Sequence, residues 1–538
     1  MKKLIYFFLV FGLFACSSDS ADDQNTQKSL FTLLSSDETG ITFTNTSIET
    51  PERNGGHYDY FYNGSGVAIV DINNDGLADV FFAGNDTPNK LFLNEGDFKF
   101  QDISNKAGVE SINWATGVSV VDINEDGWMD IYVCNSGPTV DDNLLANQLY
   151  VNNGDLTFTE MGAKYGIDNT SYSSQAAFFD MDKDGDLDLF VMNHSSINYE
   201  KDVHKWEEVL LNKPARIREK SFSTLYRNNG NGTFDDITKE SGLYRPGFGL
   251  GVAVSDFDEN GFLDIYVAND YFIPDFMFFN QGNGTFIEDI QSKVSHSSFF
   301  SMGCDAADIN NDGLVDLAVL DMTPSDHYRN KTLMESMDVN KFSYLTNQKG
   351  YVPQYMFNTL NLNRSKGHFS EIGHFLGVAQ TDWSWAALLV DFDNNSWKDL
   401  MVTNGFKRDT RNRDWMNELN VRYETEGITG AVLYDQLQKS NSTPIANYIF
   451  KNRGNLKFDD ASKDWGFNEP SYSQGAAYGD LDNDGDLDVV INNLESEAFV
   501  YRNNTMDRNN NHYIQFVLSD GKNSSNSVKI LYMRTFIS

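Results

Sequence analysis

Short apolar runs with strand-like character recur along most of the chain, each bounded by polar segments rich in Asp, Asn and Gly. GVAIV at 66–70 and VFFAG at 80–84 form the first such pair, with an acidic loop between them. Runs this short, with turn residues on both sides, predict β-strands rather than helices. Downstream comes an Asn-Gly-type turn and a strand in which Phe precedes an acid, as in LFLNEGDFKFQD at 91–102 and LYRNNGNGTFDD at 225–236. One unit therefore reads strand, acidic loop, strand, connection, strand, turn, strand. Four short antiparallel strands repeated at intervals of about 50 residues predict a β-propeller blade.

The acidic loop fixes the count. The pattern D-x-[DN]-x-[DN]-G-x-x-D occurs seven times, and only the sixth copy departs from it, with Ser396 in place of the glycine. After the seventh loop the strands VVINN and AFVYRNN are not followed by a Phe-acid strand, whereas GITFTNTS at 40–47 resembles that strand and has no loop before it. The expectation is an all-β, seven-bladed propeller over residues 40–507 in which the N-terminal strand at 40–47 completes the last blade and leaves no open edge.

The spacing within the loop has a chemical reading. Side chains at positions 1, 3, 5 and 9 can converge on one point, and the carbonyl at position 7 adds another oxygen. Hard oxygen donors in flexible geometry suit Ca2+, which takes roughly 6–8 of them, and glycine at position 6 allows the chain to wrap the ion. The first loop offers Asp71, Asn73, Asp75 and Asp79 with the Leu77 carbonyl, and the second offers Asp122, Asn124, Asp126 and Asp130. Asp180, Asp182, Asp184 and Asp188 follow in the third, and Asp256, Asp258, Asn260 and Asp264 in the fourth. The fifth has Asp308, Asn310, Asp312 and Asp316, and the sixth Asp391, Asp393, Asn395 and Asp399. Asp480, Asp482, Asp484 and Asp488 complete the set. An EF-hand would need Glu at position 12, where Phe82, Val133 and Val191 stand instead. Carboxylates crowded in this way repel one another without a cation, so up to seven structural Ca2+ are expected, with the sixth loop the weakest site.

Charge and the chain ends add to this. Of 78 acidic residues, 23 stand at the ligand positions, and seven divalent ions would bring the net charge from −37 to −23. The acidity thus belongs largely to the loops, and it argues against nucleic acid as a partner. Lys2, Lys3 and the apolar run Leu4–Phe14 read as an export signal over 1–15, too short to span a bilayer. Ala15-Cys16 resembles the bacterial lipobox, which implies lipidation at Cys16 and attachment to the membrane through that lipid alone. Residues 16–39 read as a flexible tether, and its early acids resemble the surface-export signal of Bacteroidetes lipoproteins. Cys134 and Cys304 sit in apolar, strand-like contexts and read as buried thiols.

Taken together, the chain resembles the FG-GAP/VCBS-repeat proteins, whose blades resemble those of integrin α-subunit propellers. Its layout is similar to bacterial lipoproteins related to cartilage acidic protein, which carry a C-terminal ASPIC/UnbV domain. Residues 508–538 resemble the opening of such a domain and look truncated. The resemblance implies an outer-membrane or cell-surface lipoprotein.

The first aspartates of successive loops are separated by 51, 58, 76, 52, 83 and 89 residues, so three repeats carry inserts, at about 190–224, 321–355 and 403–447. All three fall in the connection after the loop's second strand, which emerges on the face opposite the acidic loops. Long loops on one face of a rigid scaffold are where recognition concentrates. The candidate ligand face comprises Trp206, Arg216, Arg218, Tyr328, Arg408, Arg411, Arg413 and Trp415, whose arginines and aromatics suit sugar rings and acidic groups. The alternative is that the inserts pack on one another as a lid. GFGLG at 247–251 precedes an acidic loop with no helix after it, so it is no dinucleotide fingerprint. His57, in GGHYDYFYNGSG at 55–66, could reach the ring axis, although a structural role is the plainer reading. No catalytic set stands out. The expected function is a binding module for a glycan or protein, not an enzyme. A partner in an outer-membrane assembly and a polysaccharide lyase or hydrolase are the other readings.

Overall fold

A computed structural model describes residues 29–195, 203–334, 337–428, 430–508, 514–517 and 529–532. The export signal, Cys16, residues 16–28 of the tether and most of 508–538 lie outside the described residues. Within the last segment Ile514–Val517 pairs antiparallel with Lys529–Tyr532. Among the described residues no helix is long and apolar enough to cross a membrane.

The repeat folds as a four-stranded antiparallel sheet. Val67–Val70, Asp79–Phe82, Lys90–Asn94 and Phe100–Asp102 pair in that order. Five further sheets repeat the plan, opening on Trp114–Val121, Ser173–Phe179, Gly249–Ser255, Cys304–Ala307 and Ser384–Val390. Another opens on Ser473–Gly479. Each second strand begins at the ninth loop aspartate and is buried along its whole length, as in Asp79–Phe82 and Asp188–Asn193. Burial on both faces explains why these strands read as continuous apolar runs. Val80 and Phe82 pack towards Val490 and Val500, while Phe81 packs towards Ile131 and Val133. Cys134 is buried in the next such layer beside Leu189 and Val191, and Cys304 is half-buried; both are free thiols.

Asparagines at the end of the third strands tie each sheet to the one before. The Nδ2 of Asn152 donates to Ile72 O (2.8 Å) and that of Asn280 to Met181 O (2.7 Å). Asn363, Asn452 and Asn503 do the same to Phe257, Ile309 and Phe392, and Asn94 reaches Leu481. Asn228 instead donates within its own sheet, to Leu187 O. There the link is made by Thr116 Oγ1 to Ser173 O (2.7 Å) and Ser119 Oγ to Ala176 O (2.6 Å).

The strand completing the last sheet is N-terminal, but it is Phe31–Leu34 and not 40–47. Phe31 pairs with Asn503 and Leu34 with Val500. Residues 40–47 instead contribute the bridges Thr44–Glu497 and Asn45–Leu494, with Phe43 stacked on Phe82 at 4.8 Å. The sheet structure therefore begins at Phe31, and the last part of the expected tether is strand and helical turn. The reason lies just beyond most outer strands, where a turn of helix ends in a left-handed glycine and then an apolar residue. Gly108-Val109, Gly166-Ile167 and Gly377-Val378 obey this rule, and Gly40-Ile41 matches them after Phe31 rather than before 41–47. Phe31 is 2% exposed and meets Phe467 edge-on at 4.8 Å. Phe31→Ala is expected to cost about 3–5 kcal/mol, measurable as a lower urea midpoint.

Candidate functional site: acidic loops and a central cavity

All seven acidic loops share one hydrogen-bond plan. The position-1 carboxylate accepts the position-6 amide, from Gly76 N to Asp71 (2.9 Å) through Gly261 N to Asp256 (2.8 Å) and Ser396 N to Asp391 (2.6 Å). The ninth-position carboxylate uses both oxygens on backbone. Asp79 accepts Ile72 N at 3.0 Å and Asn94 N at 2.7 Å, and Asp264 accepts Phe257 N at 2.9 Å and Asn280 N at 2.8 Å. Positions 4 and 6 are both left-handed. Position 6 is glycine except at Ser396 (φ +73°), and position 4 is asparagine in four loops, such as Asn74 (φ 57°) and Asn483 (φ 59°). Asparagine tolerates that conformation better than most residues.

This arrangement crowds carboxylate oxygens of like charge. Asp180, Asp182 and Asp188 present carboxylate oxygens all within 4.8 Å of one another, as do the corresponding acids of the fourth, sixth and seventh loops. The first, second and fifth loops carry Asn73, Asn124 and Asn310 at position 3, an oxygen donor of lower charge. Asp71 Oδ1 and Asp182 Oδ1 are buried without a hydrogen-bond partner. Burial pushes Asp79, Asp130, Asp188, Asp264 and Asp316 up to about 7, and acids in the same loop add to this while backbone amides oppose it. Several Asp clusters could thus hold a metal ion, and hard oxygen donors of this kind fit a hard divalent cation. Two loops carry a side-chain cation: Lys451 pairs with Asp393 in the sixth, and Arg502 lies 3.6 Å from Asp482 in the seventh.

The inserts lie in the second-to-third-strand connections, at the other end of the sheets from the loops. They are largely helical, with Trp206–Leu211, His327–Leu333 and Arg413–Glu426 as examples. Of the candidate face residues, Trp206 is 1% exposed and packs on Phe248 and Phe272, so it belongs to the core and not to a ligand surface. Burial wins there because the Trp side chain is the largest apolar body in its insert. Arg216 is exposed and pairs with Asp142 at 2.7 Å. Arg218 and Trp415 are half-buried, and Tyr328 and Arg413 are exposed. Arg411 stands over Phe300 and Trp383, 5.0 and 5.5 Å from the ring centroids.

Arg408 is a clamp. It pairs with buried Glu49 at 2.6 Å, and Tyr62 Oη and Gln438 Nε2 bond the same carboxylate. Burial alone would raise Glu49, but these donors outweigh it and hold the carboxyl down at about 2. A carboxyl depressed on folding stabilises the fold above its unfolded value near 4.5 and loses that contribution as pH falls towards about 2. Arg408→Ala leaves Glu49 buried without its cation, at an expected cost of about 3–5 kcal/mol. The check is thermal unfolding, in which the double variant Glu49→Gln/Arg408→Met should lose less than Arg408→Ala. Arg329, absent from the sequence candidates, joins the second insert to the third through Asp409 (3.4 Å) and to the segment before Ser384–Val390 through Asp382 (2.7 Å).

A cavity of about 280 Å3 runs between the first strands of all seven sheets, reached by Gly66, Gly117, Ser174, Gly251, Gly303, Ala386 and Gly475. Small residues recur there because the first strands converge; a Cβ on Gly303 would lie 1.9 Å from Trp385 O. The segment 55–64 covers its insert end, as sequence analysis allowed, but through Tyr58 and Tyr60 rather than His57. His57 is exposed, with Nδ1 3.3 Å from Asn54 Oδ1. Tyr58 Oη meets Ser136 Oγ (2.8 Å) and His194 Nε2 (3.1 Å), and burial pushes His194 down to about 4, leaving it neutral at pH 7. Above lies a second space of about 100 Å3 bounded by Asp59, Asp270, Trp383, Phe406 and Arg411. Nothing in the local sequence around Asp59 or Asp270 marks them, since they meet only through the fold.

Seven sheets of four antiparallel strands, each with the same acidic loop between its first two strands, define an all-β repeat protein. The FG-GAP-like repeat family matches residues 71–133, 137–191, 207–267 and 438–491. Among individual proteins, the chain is 27% identical over 212 residues to cartilage acidic protein 1 of Xenopus tropicalis, covering 38% of this chain and 29% of that protein. The Homo sapiens protein matches at the same identity over 28% of its length, so the chain spans under a third of these relatives. Among solved structures, an Agrocybe aegerita lectin specific for non-reducing terminal N-acetylglucosamine aligns with a TM-score of 0.37 and 14% identity, over 74% of this chain and 79% of that one. YCF48 bound to D1 peptide aligns at 0.39 and 6% identity, over 82% and 91%.

Proposed function

We propose that the chain is a closed seven-bladed propeller, stabilised by up to seven structural Ca2+, that acts as a surface binding module and not as an enzyme. Export and lipidation at Cys16 would hold it at the outer membrane, and its ligand would be a glycan or a protein. The observation that carries this reading is the division of the molecule into two ends. One end holds seven near-identical acidic loops; at the other, Arg329 and Asp409 join the second insert to the third, Arg408 and Glu49 join the third to the N-terminal segment, and His204 of the first meets Tyr344 of the second. Repetition at one end suits a structural ion, whereas variation at the other suits recognition. The unpartnered oxygens of Asp71 and Asp182 support calcium as the loop ion, and Lys451 supports a weak sixth site. Bound calcium would supply positive charge to loops whose backbone conformation is already set by their own amides.

A glycan array probed with the soluble chain, in calcium and again in chelator, tests the reading. Calcium-dependent binding to one glycan class supports it. A blank array from protein that melts normally in calcium counts against the glycan form and leaves protein ligands as the alternative.

A further inference from the structure

We infer that the space at the insert end of the central cavity is a binding site for one neutral sugar residue at the end of a glycan; this rests on the binding-module reading and locates its contact point. The first support is a set of polar groups left without partners. Tyr60 Oη, on a side chain 7% exposed, has no hydrogen-bond partner and borders both the upper space and the cavity below. Trp383 Nε1 in the upper space and Gln474 Nε2 in the lower are likewise buried and unpartnered. A buried donor without an acceptor costs about 1–3 kcal/mol, so three around one continuous space point to something that fills it.

The second support is the balance of charge and hydrogen-bonding character. Asp59 and Asp270 bring acceptors and Arg411 brings donors, and among the described residues Arg411 forms no ion pair. Asp270 is 4% exposed, and one of its oxygens accepts Tyr271 N at 2.7 Å. A free cation would meet the guanidinium, and a free anion would meet the two carboxyls. Hydroxyl groups, which donate and accept at once, satisfy both kinds of neighbour.

The third support is an aromatic lining. Trp383 and Phe406 stack with centroids 3.8 Å apart and 3° between planes, so each covers a face of the other, and Arg411 stands over Trp383 at 5.5 Å. Ring edges of such a stack can pack against the C–H groups of a pyranose, while the polar groups meet its rim. The upper space and the cavity beneath measure about 100 and 280 Å3, room for a terminal residue and not for a chain passing through.

The test uses the full chain in calcium, with saturation-transfer NMR against glucose, galactose, mannose and N-acetylglucosamine. Glucuronate and glucosamine serve as charged counterparts. At least one neutral sugar should bind, and Trp383→Ala or Arg411→Met should weaken it at least about tenfold. Tyr60→Phe removes only the unpartnered hydroxyl, so it should lower affinity while holding or raising the melting midpoint of the sugar-free protein. Phe375→Ala, exposed on the helical turn Gly373–Leu376 and lining neither space, should change nothing. Glycans that bind the parent and the Trp383, Arg411 and Tyr60 variants equally would overturn this site while leaving the binding module standing. Preference for either charged sugar would overturn the neutral class. Silence from every sugar and from the array, in protein that melts normally, would overturn the glycan reading and this site together.

Discussion

Chelation of calcium is expected to lower the midpoint of thermal unfolding by on the order of 10 °C and to make it fall with rising pH, a dependence that bound calcium suppresses. An ion held at about a hundred times its Kd stabilises the folded state by about 2.7 kcal/mol per site, and several loops act at once. The pH effect follows from the ninth-position aspartates. In the ion-free loop Asp79, Asp130, Asp188, Asp264 and Asp316 sit at about 7, raised by burial from an ordinary value of 3.8. Between those two values the folded chain holds protons that the unfolded chain has released, so stability falls as pH rises through that window. With calcium bound the same carboxyls stay ionised over that window, so neither state exchanges protons there and stability is nearly flat, while the gap between the calcium and chelator melts widens as pH rises. The measurement is a series of melts at about pH 5 to 8, with calcium and with chelator. Equal midpoints and equal slopes in both would mean that the loops are turns that hold no ion.

The four-stranded repeat, the seven loops and the position of the inserts are legible in the sequence because each depends on short-range pattern. The closing strand is not, because two N-terminal segments, FTLL and GITFT, both carry aromatic residues with strand character. The deciding feature, a left-handed glycine after a turn of helix, lies outside either strand. Position 4 of the loops was open to inference, since asparagine stands there in four of seven copies. The double use of the ninth aspartate was not, because its second partner is the amide of an asparagine in the third strand. The cavity was further from reach. Asp59, Asp270 and Arg411 come from three distant parts of the chain, and Trp206 had the composition of a surface candidate but the packing of a core residue.

Asp256→Ala and Asp264→Ala, two substitutions in one loop, should separate ion binding from backbone support. Asp256 is half-buried, and its oxygens accept Asn260 N at 3.0 Å and Gly261 N at 2.8 Å, near the loop surface. Water can replace those bonds, so in chelator its loss is expected to cost only about 0.5–1.5 kcal/mol. In calcium the same variant should lose a further increment of about 2.7 kcal/mol, the contribution of one site. Asp264 is 0% exposed and holds Phe257 N and Asn280 N, neither of which can turn to water. Its loss strands two buried donors at about 1–3 kcal/mol each, so a cost of about 2–6 kcal/mol should persist when calcium is absent. Urea denaturation of both variants, each with calcium and with chelator, measures the four differences. A penalty for Asp264→Ala that vanishes in chelator would make the ninth position a ligand alone. Persistence would make it the point at which loop, second strand and third strand are fastened, so that the backbone of each loop is set before any ion arrives.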